Sequence, residues 1–287
     1  MKQGFVKVAS ATPRIRVADP VYNAQVICEQ AKEAAEHGAK IVVFPELCIT
    51  GYTCNDLFLQ ELLLEKAKEA LLTIAEETGQ LETLFLVGLP VDKDGRLYNV
   101  AAVLYRGRIL GMIPKKNIPM YAEFYEGRHF TPGEETVTEY RLGKQVIPFG
   151  SNLLFRCEEL PELILGCELC EDLWVAEPPS TSHALMGATV IANLSASNET
   201  VSKDDYRTLL IKASSARLLC GYIYTSAGEG ESTQDLVFGG HDLIAENGTL
   251  LVQSARFTTG ILYTDLDVLK ISSERRRMGT FGKRPMK

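Results

Sequence analysis

Three residues whose types together can cleave a carbon–nitrogen bond stand just beyond apolar runs of the chain. Glu46 follows KIVVF in the segment FPELC, Lys115 follows RILGMIP, and Cys170 follows the run LILGC within GCELCEDLW. A carboxylate can take a proton, an ammonium can hold a developing negative charge, and a thiol can become the attacking group. The end of a strand fixes the backbone and leaves the side chain facing a cleft, which is where such groups work. Taken singly, each is an ordinary residue. The stretch GCELCEDLW raises its own question, because Cys167 and Cys170 are spaced as a redox pair, as half of a metal site, or as one nucleophile beside a packing residue.

The elements that must position these groups alternate between strand and helix. Phe5 to Ala11 reads as a short strand, and Asp19-Pro20 opens a helix through His37-Gly38, with Ala24, Ile27, Cys28, Ala31 and Ala35 at helical spacing. Lys40 to Phe44 and Leu84 to Leu89 are continuous apolar runs of the kind buried on both faces. Residues 56–78 read as one long amphipathic helix ended by Gly79. Asn99 to Ile113 is a hairpin broken at Arg106-Gly107, and Leu243 to Leu251 is another with Asn247-Gly248 at its turn. Leu163 to Cys167, Ala188 to Leu194 and Gly221 to Ser226 are further buried strands, with helices over 178–187 and 203–219. Strand–helix units mixed with hairpins predict sheets that carry helices on their outer faces. Gly260 to Asp267 is the last strand, so one domain is expected over 1–270. The basic tail 271–287, with Glu274-Arg275-Arg276-Arg277 followed by Lys283, Arg284 and Lys287, then reads as a solvated segment or a connector.

Composition narrows the classes of function. Hydrophobic residues make up 46% of the 287, enough for a sizeable core. A formal net charge of -7 argues against nucleic acid as the main partner, since phosphate binding needs a basic face. No apolar run approaches the ~18 residues of a membrane helix, and the N-terminus MKQGFVKVAS lacks the pattern of a secretory signal. Seven cysteines then read as reduced thiols, which predicts a cytoplasmic protein.

In their order along the chain, FPELCITGY, KKNIPMYAEFYEGRHFTPG and GCELCEDLW resemble the nitrilase superfamily of carbon–nitrogen hydrolases. The resemblance implies a Glu–Lys–Cys triad: Glu46 as general base, Lys115 as transition-state stabiliser and Cys170 as nucleophile. Lys115 rather than Lys116 fits the family spacing to Pro119, and Ile118 stands where the family usually has Leu. Glu126 matches a second glutamate of many members, with Glu123 as the fallback. On this reading Cys167 is a small core residue. A redox pair is disfavoured because such pairs cap a helix in a much smaller fold, and zinc because no second Cys/His pair has ligand spacing.

GYTCNDLFLQ, YNVAAVLYRGRILGMIPKK, CEDLWVAEPPS, GATVIANLSAS and YTSAGEGESTQDLVFGGHDLIAENG resemble one subgroup more closely, the glutaminase domain at the N-terminus of glutamine-dependent NAD synthetases. The likeness runs from about residue 4 to 281, and ERRRMGTF is similar to that family's connector into its synthetase domain. It implies an α/β fold, a four-layer αββα sandwich whose protomers associate into homo-oligomers. Glutamine is the implied substrate, and a synthetase domain in cis or trans the implied partner. Tyr52, Tyr121, Glu171 and Ser197 are the implied contacts to the α-amino and carboxylate groups of glutamine. Lys203 stands where a basic residue often lies, while Asn198 replaces the family's usual Pro. The SGGxDS pyrophosphate loop of the synthetase half does not occur here. No cofactor is therefore expected for this domain, and ATP and Mg belong to a synthetase domain that this chain lacks. The competing expectation is a stand-alone nitrilase-type amidase or carbamoylase acting on another small amide.

Overall fold

Two mixed sheets lie face to face in the computed structural model, which describes residues 3–282, and each sheet carries helices on its outer side. In chain order the elements are β1 (Phe5–Thr12), α1 (Pro20–Glu36), β2 (Ile41–Val43), α2 (Glu61–Glu77), β3 (Leu84–Lys93), β4 (Arg96–Tyr105), β5 (Arg108–Pro114), β6 (Thr138–Leu142), β7 (Gln145–Phe149), β8 (Leu154–Arg156), β9 (Ile164–Leu169) and α3 (Pro179–Leu185). β10 (Val190–Ser195), α4 (Lys203–Leu218), β11 (Gly221–Ser226), β12 (Leu243–Glu246), β13 (Thr249–Gln253), β14 (Gly260–Asp267) and α5 (Val268–Arg277) complete them. The larger sheet runs β14-β1-β2-β3-β4-β5-β7-β6 and the smaller β13-β12-β11-β10-β9-β8. This is the four-layer αββα sandwich.

Three apolar layers hold it together, and strand alternation sorts residues among them. In β9, Leu165, Cys167 and Leu169 point between the sheets and meet Val43, Leu86 and Val103. Glu168, one residue out of phase, points to the other side, where its carboxylate accepts from Ser180 N–H at the start of α3 and from the Tyr222 hydroxyl. Cys167 is therefore packing in the inter-sheet core. The outer layer under the larger sheet joins Ala24, Ile27 and Ala31 of α1 to Ala67, Leu71 and Ile74 of α2. Small residues on both helices let them lie close. Pro20 sits in the first turn of α1, where its missing N–H costs nothing, and the Asp19 side chain accepts from Tyr22 N–H at 3.1 Å. No helix among the described residues is long and apolar enough to cross a membrane.

The chain departs from the sequence reading in three places. The helix expected over 56–78 begins at Glu61, and residues 52–59 form a separate 3₁₀ segment kinked at Asn55, whose φ is 48°. A distant carboxylate dictates this: Glu231 accepts from Tyr52 N–H at 2.7 Å and Thr53 N–H at 3.0 Å, so the segment is tied to another loop. The hairpin β6–β7 and the short β8 were not anticipated. The boundary near 270 falls inside α5, whose Val268 and Ile271 are buried. Arg275 closes that contact by donating to the carbonyls of Ala188 at 2.6 Å and of Leu218 and Leu219 at 2.9 Å. Residues 283–287 of the expected connector lie outside the described residues.

Candidate active site

Glu46 follows β2 on a loop pressed against β3, and one glycine makes the approach possible. A Cβ at Gly88 would lie 2.2 Å from Leu47 N and 2.7 Å from Pro45 O. Gly88→Ala must therefore push the Glu46 loop away. We expect it to lower activity at least tenfold and to cost about 1–3 kcal/mol of stability, read by urea titration beside a rate assay. Unchanged values in both would contradict this packing.

The Glu46 side chain is fully buried. Its Oε1 accepts from Lys115 Nζ at 2.7 Å and Asn99 Nδ2 at 2.7 Å, while Oε2 has no partner among the described residues. Lys115 stands at the end of β5, with its N–H on Asn99 O at 2.8 Å and its carbonyl on Gly133 N–H at 2.7 Å. Its Nζ also donates to Glu126 Oε1 at 2.6 Å, and that oxygen takes the Tyr52 hydroxyl at 2.8 Å. One ammonium is thus clamped between two buried carboxylates, with Lys115 and Glu46 fully enclosed and Glu126 nearly so. Burying charge without pairing is costly, so the three must stay together.

Cys170 begins the turn after β9 with a φ of 41°, a left-handed conformation that costs a non-glycine residue roughly 1–2 kcal/mol. It is 6% exposed. Burial and the Glu46 charge push its thiol well above the ordinary range, against the opposing pull of Lys115. The Ala196 N–H also pulls the thiol down. The raised value favours the neutral thiol, so a reaction at this sulfur would call for a base beside it. Burial pushes Glu46 up to about 7, Lys115 opposes that, and Glu126 adds to it. Burial works against the charge of Lys115, yet Glu126 and Glu46 together hold its ammonium well above the ordinary lysine value.

With Glu46 as the proposed base, these values predict the acid side of a pH profile. A base must be ionised to act, so its activity is lost as pH falls through its pKa. We expect kcat/KM to fall below about pH 7 as Glu46 takes a proton. The Asn99 hydrogen bond lowers the Glu46 value, so Asn99→Ala should move this limb to higher pH. A flat profile between about pH 6 and 8 would contradict the assignment.

Around this centre the remaining sequence candidates separate. Tyr121 is exposed at the mouth and donates to Glu171 at 3.0 and 2.9 Å. Lys203 packs its ammonium 5.1 Å from the Trp174 ring centroid and donates to Asn198 Oδ1. Asn198 passes the contact on to Glu123, so Glu123 belongs to the mouth while Glu126 touches Lys115. Ser197 is buried and accepts from Arg207 Nη2 at 3.2 Å. Tyr52 is turned inward onto Glu126. A cleft of about 50 Å³ beside Tyr52, Phe58, Glu126 and Phe130 is the size of a few waters and smaller than an amino acid.

Four residues here were missed in the sequence. Asn99 braces both glutamates, Glu231 anchors the Tyr52 segment, and Asp172 binds the turn of Cys170 to the loop of Lys115. Arg207, fully buried on α4, pairs with Glu199 at 2.8 Å behind Ser197. Asn99 had a signal, a polar residue within the apolar run YNVAA. The others had none that local pattern could reveal.

A family model described as carbon–nitrogen hydrolase matches residues 7–276. The chain is 43% identical over 282 residues, 98% of its length, to the glutamine-dependent NAD(+) synthetase of Mycobacterium tuberculosis. It is 32% identical over 93% of its length to that of Thermotoga maritima. It spans 42% and 43% of those relatives. Its fold superposes on a glutamine-dependent NAD(+) synthetase from Cytophaga hutchinsonii with a TM-score of 0.83, at 28% identity, covering 91% of this chain and 43% of that one. An amidase from Nesterenkonia sp. AN1 shares the fold at a TM-score of 0.75 and 20% identity, with 96% of each chain covered.

Proposed function

Because the chain belongs to the carbon–nitrogen hydrolase family, we propose that it hydrolyses the side-chain amide of glutamine, with Cys170 as nucleophile, Glu46 as general base and Lys115 as oxyanion donor. Glu46 takes the thiol proton as sulfur bonds to the amide carbon. The oxyanion rests on Lys115 and on the Glu171 N–H. Collapse expels ammonia, which leaves with the proton from Glu46, and a thioester remains. Water then attacks as Glu46 takes its proton, and the second collapse frees glutamate and returns that proton to sulfur. The sum is glutamine and water to glutamate and ammonia.

The observation that carries the chemistry is the buried Glu46–Lys115–Glu126 clamp, with one Glu46 oxygen unpaired among the described residues. Glu126, steadied by Tyr52, keeps Lys115 charged and in place. The amino-acid substrate is supported by the mouth, where Glu171 with Tyr121 offers a carboxylate to an α-amino group. Lys203 offers a cation to an α-carboxylate, whereas the Ser197 hydroxyl is buried on Arg207, away from that surface. The relatives support glutamine in particular, and NAD synthesis as the use of the ammonia. In this reading a synthetase domain, in cis or trans, consumes the ammonia to convert nicotinic acid adenine dinucleotide, and ATP and Mg are needed there and not in the carbon–nitrogen hydrolase domain. The reading places the reaction in the cytoplasm, where the free thiols stay reduced, with protomers associated as homo-oligomers.

Treatment with the glutamine mimic diazo-oxo-norleucine tests it. A single adduct on the peptide carrying Cys170, blocked by excess glutamine, is the expected result. Labelling by simple amide mimics alone would support a stand-alone amidase instead.

A further inference from the structure

Asp172 stands two residues beyond Cys170, and among the described residues its buried carboxylate accepts only from the two loops that carry the chemistry. Oδ2 takes Leu169 N–H at 3.0 Å and the Lys116 N–H at 3.5 Å. Oδ1 takes Asn117 N–H at 2.8 Å and the Asn117 side-chain amide at 2.7 Å. Leu169 immediately precedes Cys170, and Lys116 immediately follows Lys115. A single carboxylate therefore spans the nucleophile turn and the lysine loop, which lie some 55 residues apart in sequence. The need for a brace is evident in Cys170 itself, whose left-handed backbone would relax toward an ordinary conformation if nothing opposed it.

We propose that Asp172, with Asn117 as its partner, is a positioning residue that keeps Cys170 left-handed and at fixed reach from Lys115. The proposal rests on Cys170 and Lys115 having the roles given above. Asparagine is the informative replacement at 172 because it keeps the shape but offers one acceptor oxygen and a donor that faces other N–H groups. At least one of the Leu169 and Asn117 donors then loses its partner, and the turn loosens. A displacement of about 1 Å between reacting groups costs on the order of 10²-fold in rate.

The experiment combines glutamine kinetics with the rate at which iodoacetamide alkylates Cys170. Asp172→Asn should lower kcat about a hundredfold and slow alkylation. Asn117→Ala, which leaves all three backbone donors in place, should lower kcat about tenfold with KM within about threefold. The double variant should be no slower than Asp172→Asn alone, because both changes break one brace. Effects that multiply, a kcat within threefold of the parent for Asp172→Asn, or a raised KM at unchanged kcat for Asn117→Ala would overturn the proposal. Should Asp172→Asn not fold, Asn117→Ala decides alone, and a change of twofold or less there counts against the brace. Alkylation needs no glutamine. Slower alkylation in an Asp172→Asn chain whose parent ignores glutamine would sink the substrate and leave the brace standing. Unchanged alkylation beside an active parent would sink the brace.

Discussion

Cys170→Ala should lower glutamine hydrolysis by on the order of 10⁴-fold or more, as loss of a covalent nucleophile does in other hydrolases, while Cys167→Ala leaves kcat within about threefold. The two thiols are three residues apart and both buried, yet strand phase gives them different neighbours. Cys167 lies between the sheets with Leu165, Ala192 and Val190. Cys170 stands one step past the strand, within the fields of Glu46 and Lys115. Removing sulfur at 167 deletes a small buried apolar group, worth about 1 kcal/mol. Matched kinetics and urea melts of the two variants check this. Equal loss of activity in both, with folding intact, would remove the reason for choosing Cys170.

The second large effect is at Lys115. Lys115→Ala takes away the proposed oxyanion donor, worth on the order of 10²–10³ in rate, and also leaves Glu46 and Glu126 facing each other without a cation. Breaking a buried charge cluster by removing one partner costs about 3–5 kcal/mol. Lys115→Ala should therefore lose both rate and stability. Glu46→Gln separates the two effects, because the amide keeps the shape and leaves Lys115 paired one-to-one with Glu126. Its rate should fall about 10²–10⁴-fold with stability within about 1 kcal/mol of the parent. A drop of only a few-fold in Glu46→Gln would mean that the cluster is a structural ion pair.

Much of this arrangement was legible in the chain because the strands that carry it are short apolar runs with clear ends. β11 and β14 fall on the residues read from the sequence, and the turns at Arg106-Gly107 and Asn247-Gly248 have positive φ at both positions. The β6–β7 hairpin had a usable signal as well, since Tyr140, Leu142, Ile147 and Phe149 alternate around Gly143. Surface-facing Glu139, Arg141 and Val146 hid it. The 3₁₀ segment at 52–59 was illegible for another reason: its helix-like composition is overruled by a carboxylate 179 residues away. The same holds for Asp172 and Arg207, whose roles come from partners on other loops. The basic run at 275–277 reads as solvated, yet Arg275 turns inward onto four carbonyls, a geometry that no charge pattern announces.

The central claim is that a thioester on Cys170 links glutamine to ammonia and glutamate. Rapid mixing with glutamine, followed by acid quench and mass analysis of the intact chain, tests it most directly. The account predicts an adduct equal in mass to glutamine less ammonia, located on the Cys170 peptide, and absent in Cys170→Ala. It also predicts one ammonia and one glutamate per glutamine consumed at steady state. Ammonia release from glutamine that persists in Cys170→Ala, or an acyl group found on any other residue, would contradict it.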